Sequence, residues 1–341
     1  MKAVVLEEPG SPEGLRLREL PSPELGPRDV LVNVRAAGVC HHDVVVMRGV
    51  LRRGIKPNVV LGHEIAGEVA KVGGEVQGVS PGDRVVSILT ECCGHCRRCV
   101  EGNEHRCLNG HGIGHAVDGG YAEEVRVAGL SLRPIPEGVS FEQAAVCACP
   151  IGVVLHAVRD LARPQPGETV VVTGAGGGLG VHATQIAKLM GARVFAVTSS
   201  AEKIERLQEL GPDEVLFSPD LDFHWEVLAL TEDMGAEVVI DTVGSAAFEP
   251  AFQSLAQYGR MVMVGEIAGK EIRLNPANLL FKDARLFGTS GVSRKDLDDA
   301  LELVRRGQVR PVVTSFPLSD AAKVHQMLLD RQLFGRAVLT P

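Results

Sequence analysis

Four cysteines lie close together in this 341-residue chain, at positions 93, 96, 99 and 107. Thiolates at this spacing can surround one tetrahedral Zn²⁺, and a short loop can present them without a hydrophobic core of its own. The alternatives are disulfides or incidental cysteines, but the loop is charged and contains glycine, and cysteines separated by two residues seldom form useful disulfides. The segment predicts a structural zinc lobe over about 91–108, in which the regular spacing leaves Cys92 spare.

Three further residues are candidate ligands of a second metal ion. Cys40 lies in GVCHHD, His63 in LGHE, and Cys149 in CACPIG, where Cys147 is a competing thiol. A single cysteine or histidine is more often a core or surface residue than a ligand. Two cysteines and one histidine would nevertheless leave one zinc position open, as Lewis-acid chemistry requires.

A glycine-rich turn, GAGGGLG over residues 174–180, follows the strand-like run TVVVT and precedes a helical pattern. Glycine permits positive φ angles and close approach of the backbone to a pyrophosphate, while the helix N-terminus supplies N–H donors. The strand, turn and helix together predict dinucleotide binding, with Gly174, Gly177, Gly178, Leu179 and Gly180 in the turn. No Gly-Lys-Ser/Thr follows, which excludes a phosphate-loop NTPase.

The end of the next predicted strand bears on the choice of cofactor. An NAD site usually has Asp or Glu there, whereas this chain has Thr198 followed by Ser199 and Ser200. These small side chains leave room for a 2′-phosphate, and Lys203 could help to neutralise it. The pattern favours NADP over NAD, but no arginine occupies the usual clamp position, so both cofactors remain open.

The secondary structure predicted from the sequence, which must position these residues, changes near residue 150 from short strands to alternating strands and helices. Before it, short strands such as DVLVNVRAAGV and EIAGEVAKVG are separated by Gly and Pro, which predicts a twisted β-barrel with few helices. Pro150 and Gly152 predict a turn before a helix. From Val170 onward, strands alternate with amphipathic helices, which predicts an α/β domain with a doubly wound parallel sheet.

Composition narrows the class of protein further. The net charge of −8 argues against nucleic acid as a partner, and the sequence contains no run of about 18 apolar residues typical of a membrane span. The N-terminus lacks the apolar stretch of a signal peptide. With eight cysteines and no export signal, we expect a reducing, cytoplasmic compartment, in which metal binding is a better use for the thiols than disulfides.

Taken together, these motifs resemble those of the zinc-dependent alcohol dehydrogenases of the medium-chain dehydrogenase/reductase (MDR) superfamily. GVCHHD, GHE, the four-cysteine lobe, DGGYAE, GAGGGLG and the closing GRAVL carry the resemblance over essentially the whole chain. It implies a GroES-like catalytic domain, here residues 1–154 and 291–341, and a Rossmann NAD(P)-binding domain, residues 155–290. It also implies a homodimer or homotetramer, for which the apolar stretch RMVMVGEIAG is a candidate contact.

The resemblance assigns roles to individual residues. It implies that Cys40, His63 and Cys149 bind catalytic zinc, that Glu64 lies behind the metal, and that Asp43 orients His63. It further implies that His41 and Arg336 contact the cofactor's phosphates and that Val264 lies near the nicotinamide.

One position departs from the family pattern. Two residues after the first zinc cysteine, alcohol dehydrogenases usually have Ser or Thr, whose hydroxyl passes the alcohol proton towards solvent. This chain has His42, which could carry the proton instead or could only shape the pocket.

The resemblance implies reversible hydride transfer between an alcohol and an aldehyde or ketone. Because of His42, reduction of an activated C=C bond by an acryloyl-CoA reductase or quinone reductase remains the alternative. A non-catalytic nucleotide-binding protein is a third possibility, which one turnover assay would decide.

Overall fold

The computed structural model describes residues 1–51 and 54–341, and these form two compact units. The first unit comprises Met1–Gly152, Gly291–Gly307 and Val313–Pro341. The second comprises Val153–Ser290 and the short segment Gln308–Val312. The sequence predicted boundaries at 154/155 and 290/291 and did not predict that 308–312 belongs with the second unit.

The strands of the described residues, in chain order, are β1 (Lys2–Leu6), β2 (Leu15–Glu19), β3 (Asp29–Gly38), β4 (Glu64–Val72), β5 (Arg84–Ser87), β6 (Thr90–Glu91), β7 (His111–Gly112), β8 (Glu124–Ala128), β9 (Leu132–Pro134), β10 (Thr169–Val172), β11 (Arg193–Thr198), β12 (Glu214–Phe217), β13 (Ala236–Asp241), β14 (Leu255–Met263), β15 (Arg285–Gly288), β16 (Val313–Pro317) and β17 (Arg336–Thr340).

The α-helices are α1 (His41–Met47), α2 (Arg97–Val100), α3 (Phe141–Val146), α4 (Gly180–Leu189), α5 (Ile204–Gln208), α6 (His224–Leu230), α7 (Phe248–Gln253), α8 (Pro276–Lys282), α9 (Arg294–Arg305) and α10 (Ala321–Leu329). The helix predicted over about 201–210 is shorter, because a 3₁₀ turn, Ala201–Lys203, precedes α5.

The first unit is built around one mixed sheet with the order β16-β17-β3-β4-β5-β9, and β8 pairs with β3 beside this path. All its pairs are antiparallel except β16 with β17. Alternate apolar side chains of β3, such as Val30, Val32 and Val34, are buried in the core. The predicted β-rich domain with few helices is confirmed.

The second unit contains a six-stranded parallel sheet in the order β12-β11-β10-β13-β14-β15. Its central strands are near-continuous runs of β-branched residues, VVV in β10 and VVI in β13, as expected where both faces of a sheet are covered. The strand order reverses beside β10, and the carboxyl ends of strands at such a point form the usual ligand crevice. The predicted doubly wound sheet is confirmed.

Side chains of α4 explain why residues 308–312 belong to the second unit. The Gln185 amide brackets the backbone of Arg310, donating to its carbonyl at 3.0 Å and accepting its N–H at 2.8 Å. The His182 Nε2 atom accepts the N–H of Val312 at 3.2 Å. These long-range contacts have no local sequence signal, so residue pattern alone could not assign the segment.

The predicted turn at Pro150 is wrong, because α3 continues into two π-helical segments, Cys147–Val153 and His156–Ala162. A widened π turn can accommodate a proline, which lacks an N–H and would clash with the carbonyl four residues earlier in an α-helix. Gly152 is needed for packing, since a Cβ atom there would lie 2.6 Å from Val292 Cγ2. Cys149 therefore lies on a helix instead of a loop.

The same helical run, Phe141–Ala162, is the one part of the described chain long and apolar enough to cross a bilayer by length and composition. Its most apolar window is 78% buried inside the protein, as in the core helix of a globular domain.

Candidate metal centres and cofactor site

The side chains of Cys40, His63, Glu64 and Cys149 converge in the first unit, with one potential ligand atom from each lying within 4.8 Å of the others. Cys40 comes from the start of α1, His63 and Glu64 from the start of β4, and Cys149 from the π-helical segment. The fold thus brings the three predicted ligands together, although Cys149 lies 86 residues after His63 in the sequence.

The local structure of α1 explains how Cys40 and His63 are oriented. Cys40 is the N-cap of this helix, and its backbone N–H donates to Asp43 Oδ2 at 2.9 Å. The other carboxylate oxygen of Asp43 lies 3.2 Å from His63 Nδ1. Because a carboxylate only accepts, Nδ1 carries the proton, and Nε2 is left as the basic nitrogen.

Glu64 and Arg336 form a buried pair beside the thiols. Arg336 Nη2 lies 3.0 Å from Glu64 Oε1 and 3.6 Å from Cys149 Sγ, and Nη1 donates to the Val39 carbonyl at 3.2 Å. The guanidinium is not aligned for a hydrogen bond to Glu64, so both Glu64 oxygens lack a hydrogen-bond donor among the described residues. Arg336 supplies one positive charge, and the missing hydrogen-bond donors leave the Glu64 oxygens able to interact with a second cation.

The pKa values in the cluster are strongly perturbed. Burial raises the pKa of Glu64 to about 7, although Arg336 acts in the opposite direction. Burial alone would lower the pKa of His63, but attraction to Asp43 outweighs it and raises the pKa above the usual range. Hydrogen bonding from the Cys149 thiol, together with Arg336, holds the pKa of Cys40 well below its ordinary value.

The donor set fits zinc. The Sγ atoms of Cys40 and Cys149 are 3.9 Å apart, close to the ~3.8 Å that two thiolates would have on one tetrahedral zinc with Zn–S bonds of about 2.3 Å. Two thiolates and one imidazole make a three-ligand site, which leaves one coordination position for another group. Glu64 lies beside these ligands, and its Oε1 atom is 3.8 Å from His63 Nε2.

His42 lies against a histidine that the sequence analysis did not single out. His42 Nε2 is 3.3 Å from His115 Nδ1, and the His42 ring meets those of His115 and His63 edge to face, at centroid distances of 5.0 and 5.2 Å. Burial lowers the pKa of His42, and burial with the two neighbouring imidazoles lowers that of His115 to about 4. A side chain at Gly112 would overlap the His115 ring, so glycine there makes room for it.

The four lobe cysteines also form one cluster, with their Sγ atoms within 4.8 Å of one another. Cys96 Sγ lies 3.5 Å from Cys99 Sγ and 3.8 Å from Cys107 Sγ, again near the ~3.8 Å of tetrahedral zinc thiolates. Backbone N–H groups donate to the sulfurs: Cys93 to Cys107, Cys96 to Cys93, and Leu108 to Cys96. Such donors stabilise thiolates, so this cluster fits a zinc with four protein ligands.

The remaining cysteines, Cys92 and Cys147, lie outside both clusters of the described residues. Burial raises the pKa of each thiol, which keeps it neutral. Cys147 donates to the carbonyl of Gln143 at 3.3 Å, and the N–H of Cys92 donates to Ser131 Oγ at 3.1 Å. Both pack as small buried side chains.

The glycine-rich turn joins the carboxyl end of β10 to α4. Gly174 has φ +59°, and a Cβ atom at Gly180 would overlap the Gly174 carbonyl oxygen, so both positions require glycine. A Cβ atom at Gly177 would lie 3.3 Å from the same oxygen. Gly178 and Leu179 complete the turn before the first residue of α4, and no side chain of the N-cap residue hydrogen-bonds to the helix N-terminus.

The residues after β11 lie beside this turn. The Thr198 hydroxyl accepts the N–H of Ser200 at 3.2 Å, and Ser199 and Ser200 are half-buried. The Lys203 stem packs across the turn, since a Cβ atom at Gly176 would lie 2.7 Å from Lys203 Cδ. A cationic side chain therefore runs over the predicted phosphate-binding loop.

Three other predicted cofactor residues lie at or next to the ends of elements. His41 is the first residue of α1 and is half-buried, and Val264 follows β14, where its N–H donates to the Asp241 carbonyl at 2.8 Å. Arg336 begins β17, and its guanidinium meets Glu64 as described above.

Residue pattern missed three histidine and tyrosine positions near the metal cluster. His115 lies in GIGHAV, Tyr121 in the quoted DGGYAE motif, and His325 on α10. Only DGGYAE carries a signal, since two glycines directly precede this tyrosine. Nothing local to His115 or His325 distinguishes either from an ordinary loop or helix histidine.

Comparison with known families gives two matches. Residues 26–137 match the alcohol dehydrogenase GroES-like domain, and residues 178–306 match the zinc-binding dehydrogenase family. The first match includes Cys40, His63 and Glu64, and the second begins within the glycine-rich turn at Gly178.

Relatives match along the full length. The chain is 38% identical to an acryloyl-coenzyme A reductase of Metallosphaera sedula, covering 100% of each chain, and 36% identical to an alcohol dehydrogenase of Geobacillus stearothermophilus, covering 99% of each. A crystal structure of an NAD-dependent alcohol dehydrogenase superposes with a TM-score of 0.93 at 37% identity, covering 100% of each chain.

Proposed function

This chain belongs to the zinc-dependent alcohol dehydrogenase family of medium-chain dehydrogenases/reductases, and from that premise we propose that it transfers hydride reversibly between an alcohol and an aldehyde or ketone. The observation that supports this most directly is the buried convergence of Cys40, His63 and Cys149 with Glu64, whose oxygens lack donors among the described residues.

The available donor atoms indicate which residues would bind each metal ion. Cys40, His63 and Cys149 would bind the catalytic zinc, and the four lobe cysteines would bind a structural zinc. When bound, a zinc in the first site supplies Lewis acidity towards a substrate oxygen, and a nicotinamide cofactor supplies the hydride chemistry. Asp43 holds the Nδ1–H tautomer of His63, so that Nε2 faces the cluster. Glu64, kept in place by Arg336, is a nearby carboxylate that could exchange into the coordination sphere.

Alcohol oxidation also releases a proton, and we propose that His42 carries it. His42 is half-buried, contacts the His63 ring, and hydrogen-bonds to His115 on its other side. Each imidazole can accept a proton on one nitrogen while donating from the other, which a hydroxyl at this position would do in related dehydrogenases.

For the cofactor we propose the Rossmann unit as the binding domain and NADP(H) as the preferred form. Gly174, Gly177, Gly178, Leu179 and Gly180 would receive the pyrophosphate, with His41 and Arg336 as further phosphate contacts and Val264 near the nicotinamide. The 2′-phosphate would meet Thr198, Ser199, Ser200 and Lys203. The Lys203 stem over Gly176 supports this preference, because no acidic side chain ends β11.

A second candidate is reduction of an activated C=C bond in an enoyl thioester. It is favoured by the paired imidazoles of His42 and His115 where related alcohol dehydrogenases have a hydroxyl relay, and by the similarity to an acryloyl-coenzyme A reductase. In that reaction, hydride would go to the β-carbon and a proton to the α-carbon, so the imidazole pair would be a proton source.

One activity matrix tests both candidates. NADH and NADPH oxidation is measured with aldehydes, ketones and crotonyl-type thioesters, and the reverse reaction with alcohols. Turnover of carbonyls and alcohols supports the first proposal; turnover of thioesters alone replaces it with the second. Cys40→Ser should abolish turnover while nucleotide binding persists, and retained activity would remove the metal assignment; Cys92→Ser is the matched control.

We also propose a cytoplasmic homodimer or homotetramer. Exposed Leu280 and Phe281 on α8, with 68% and 76% of their surface accessible, support a subunit contact. Light scattering of the purified protein tests the assembly.

A further inference from the structure

A hydrogen-bonded line of buried polar side chains begins at the metal-ligand candidate His63. It runs from His63 to Asp43, then to Tyr121 and then to His325, and each of these side chains is at most 4% exposed. Tyr121 Oη lies 3.0 Å from Asp43 Oδ2 and 3.2 Å from His325 Nε2. All four residues belong to the first unit.

The chemistry of these groups fixes the direction of every hydrogen bond in the line. The Asp43 carboxylate only accepts, so it takes the Nδ1–H of His63 and the hydroxyl proton of Tyr121. With its proton used, the Tyr121 oxygen can only accept from His325, which must therefore carry its hydrogen on Nε2. Burial lowers the pKa of His325 to about 4, so one N–H is all this ring has.

The line ends at His325. Its Nδ1 atom is buried and has no hydrogen-bond partner among residues 1–51 and 54–341, so the line offers no exit for a proton there. What remains is an orienting function. Burying Nδ1 without a hydrogen-bond partner costs free energy, so the position of the ring is explained by its hydrogen bond to Tyr121.

Tyr121 is also seated against the backbone that carries His63. A side chain at Gly62, which has φ +91°, would overlap the Tyr121 ring. Tyr121 and Gly120 donate their N–H groups to the carbonyls of Leu61 and Gly62 at 3.0 and 2.7 Å. The Tyr121 ring and backbone thus contact the segment that carries His63, while its hydroxyl hydrogen-bonds to Asp43.

We propose that Tyr121 and His325 are positioning residues for His63: their one-way hydrogen bonds hold the Asp43 carboxylate so that it keeps His63 as the Nδ1–H tautomer, with Nε2 directed into the metal cluster. The proposal rests on the proposed metal site at Cys40, His63 and Cys149. It adds two residues, 78 and 282 positions after Asp43 in sequence, to the support of that site. Neither residue touches the reacting atoms.

The test compares zinc retention in Tyr121→Phe, which keeps the ring over Gly62 and removes only the hydroxyl, with Tyr258→Phe. Tyr258 is the chain's other tyrosine and is exposed. Zinc per chain is titrated against a competing chelator, and the lobe serves as an internal reference. We expect the cluster's zinc affinity to fall about tenfold in Tyr121→Phe, with lobe affinity and the Tyr258→Phe protein unchanged.

The His325 variants separate orientation from packing. His325→Gln can still donate an N–H to Tyr121 and should retain zinc as the wild type does, whereas His325→Leu should lose affinity as Tyr121→Phe does. Cobalt replacing zinc gives a second readout, since its absorption bands report ligand geometry and should shift in Tyr121→Phe and His325→Leu only. If His325→Leu does not fold, Tyr121→Phe and His325→Gln still decide.

The outcomes are distinguishable from failure of the proposed function. A wild-type chain that binds zinc only in the lobe removes the proposed metal centre itself. Wild-type binding at both sites, with unchanged cluster affinity and cobalt spectrum in Tyr121→Phe, overturns the positioning proposal alone.

Discussion

Arg336 Nη2 lies 3.0 Å from Glu64 Oε1, and both side chains are almost completely buried beside the two thiols of the metal cluster. The pair is only partly compensated, because the two groups are not aligned to hydrogen-bond and burial still raises the pKa of Glu64 to about 7. A metal cation next to Glu64 would stabilise its charged form and lower its pKa. We therefore expect Glu64 to titrate near neutral pH only in the metal-free protein.

The first prediction concerns the stability of the metal-free protein as a function of pH. Because the pKa of Glu64 is raised on folding, the folded state binds more protons than the unfolded state between about pH 4.5 and 7. The free energy of unfolding should therefore fall as pH rises through this window, by up to about 3 kcal/mol from this residue. Glu64→Gln, which cannot titrate, should lack that part of the slope. Urea unfolding across the window measures it, and equal slopes for the two proteins would refute the assignment.

The second prediction concerns the zinc lobe. Cys93→Ser should lower the zinc content by one per chain and reduce the melting temperature, because structural zinc binding contributes directly to folding. The neighbouring Cys92→Ser removes a thiol outside the cluster and should leave the zinc content unchanged. Nucleotide binding should persist in both variants. Equal zinc loss in the two variants would contradict the division between the cysteines.

The third prediction concerns the glycine-rich turn. Gly180→Ala places a Cβ atom against the Gly174 carbonyl, so the turn must open and the helix N-terminus move. We expect the Kd for NADPH to rise at least tenfold, or ~1.4 kcal/mol. Gly288→Ala in β15 is the control, since a Cβ atom there meets nothing within 4 Å. Nicotinamide fluorescence titration measures both, and an unchanged Kd in Gly180→Ala would place the cofactor elsewhere.

The fourth prediction concerns cofactor preference. Thr198→Asp puts a carboxylate where the 2′-phosphate of NADP is expected, and like charges repel. The ratio of kcat/KM for NADPH to that for NADH should fall at least tenfold, or ~1.4 kcal/mol. Thr198→Val removes the hydroxyl without adding charge and should change the ratio far less. A wild-type enzyme that already prefers NADH, with no response to Thr198→Asp, would refute the proposed site.

The fifth prediction concerns His42. His42→Ala should lower kcat about a hundredfold if this imidazole transfers the alcohol proton, and His42→Thr should recover part of the loss because a hydroxyl can also relay it. The control is His111→Ala, since His111 is exposed and is not part of the metal cluster. Unchanged kcat in His42→Ala would leave this residue only a role in shaping the pocket.

The zinc lobe, the glycine-rich turn and the parallel sheet can each be predicted from local sequence. The four lobe cysteines lie within 15 residues, so their spacing alone predicts their convergence. The glycine-rich turn follows β10 directly, and its steric requirements act between Gly174 and Gly180. Alternation of apolar strands and helices predicted the parallel sheet, since burial on both faces leaves a clear pattern.

Other features depend on contacts between distant segments, and only the tertiary structure decided them. The helix through Pro150, which replaces the expected turn, rests on π-helical widening and on packing of Gly152 against Val292. The pairing of Arg336 with Glu64 and the line from Asp43 to His325 join residues more than 270 positions apart. A histidine in a helix has the same local pattern whether it lies in a core or orients a metal ligand. Its role is set by the groups that folding places against it, and those come from other parts of the chain.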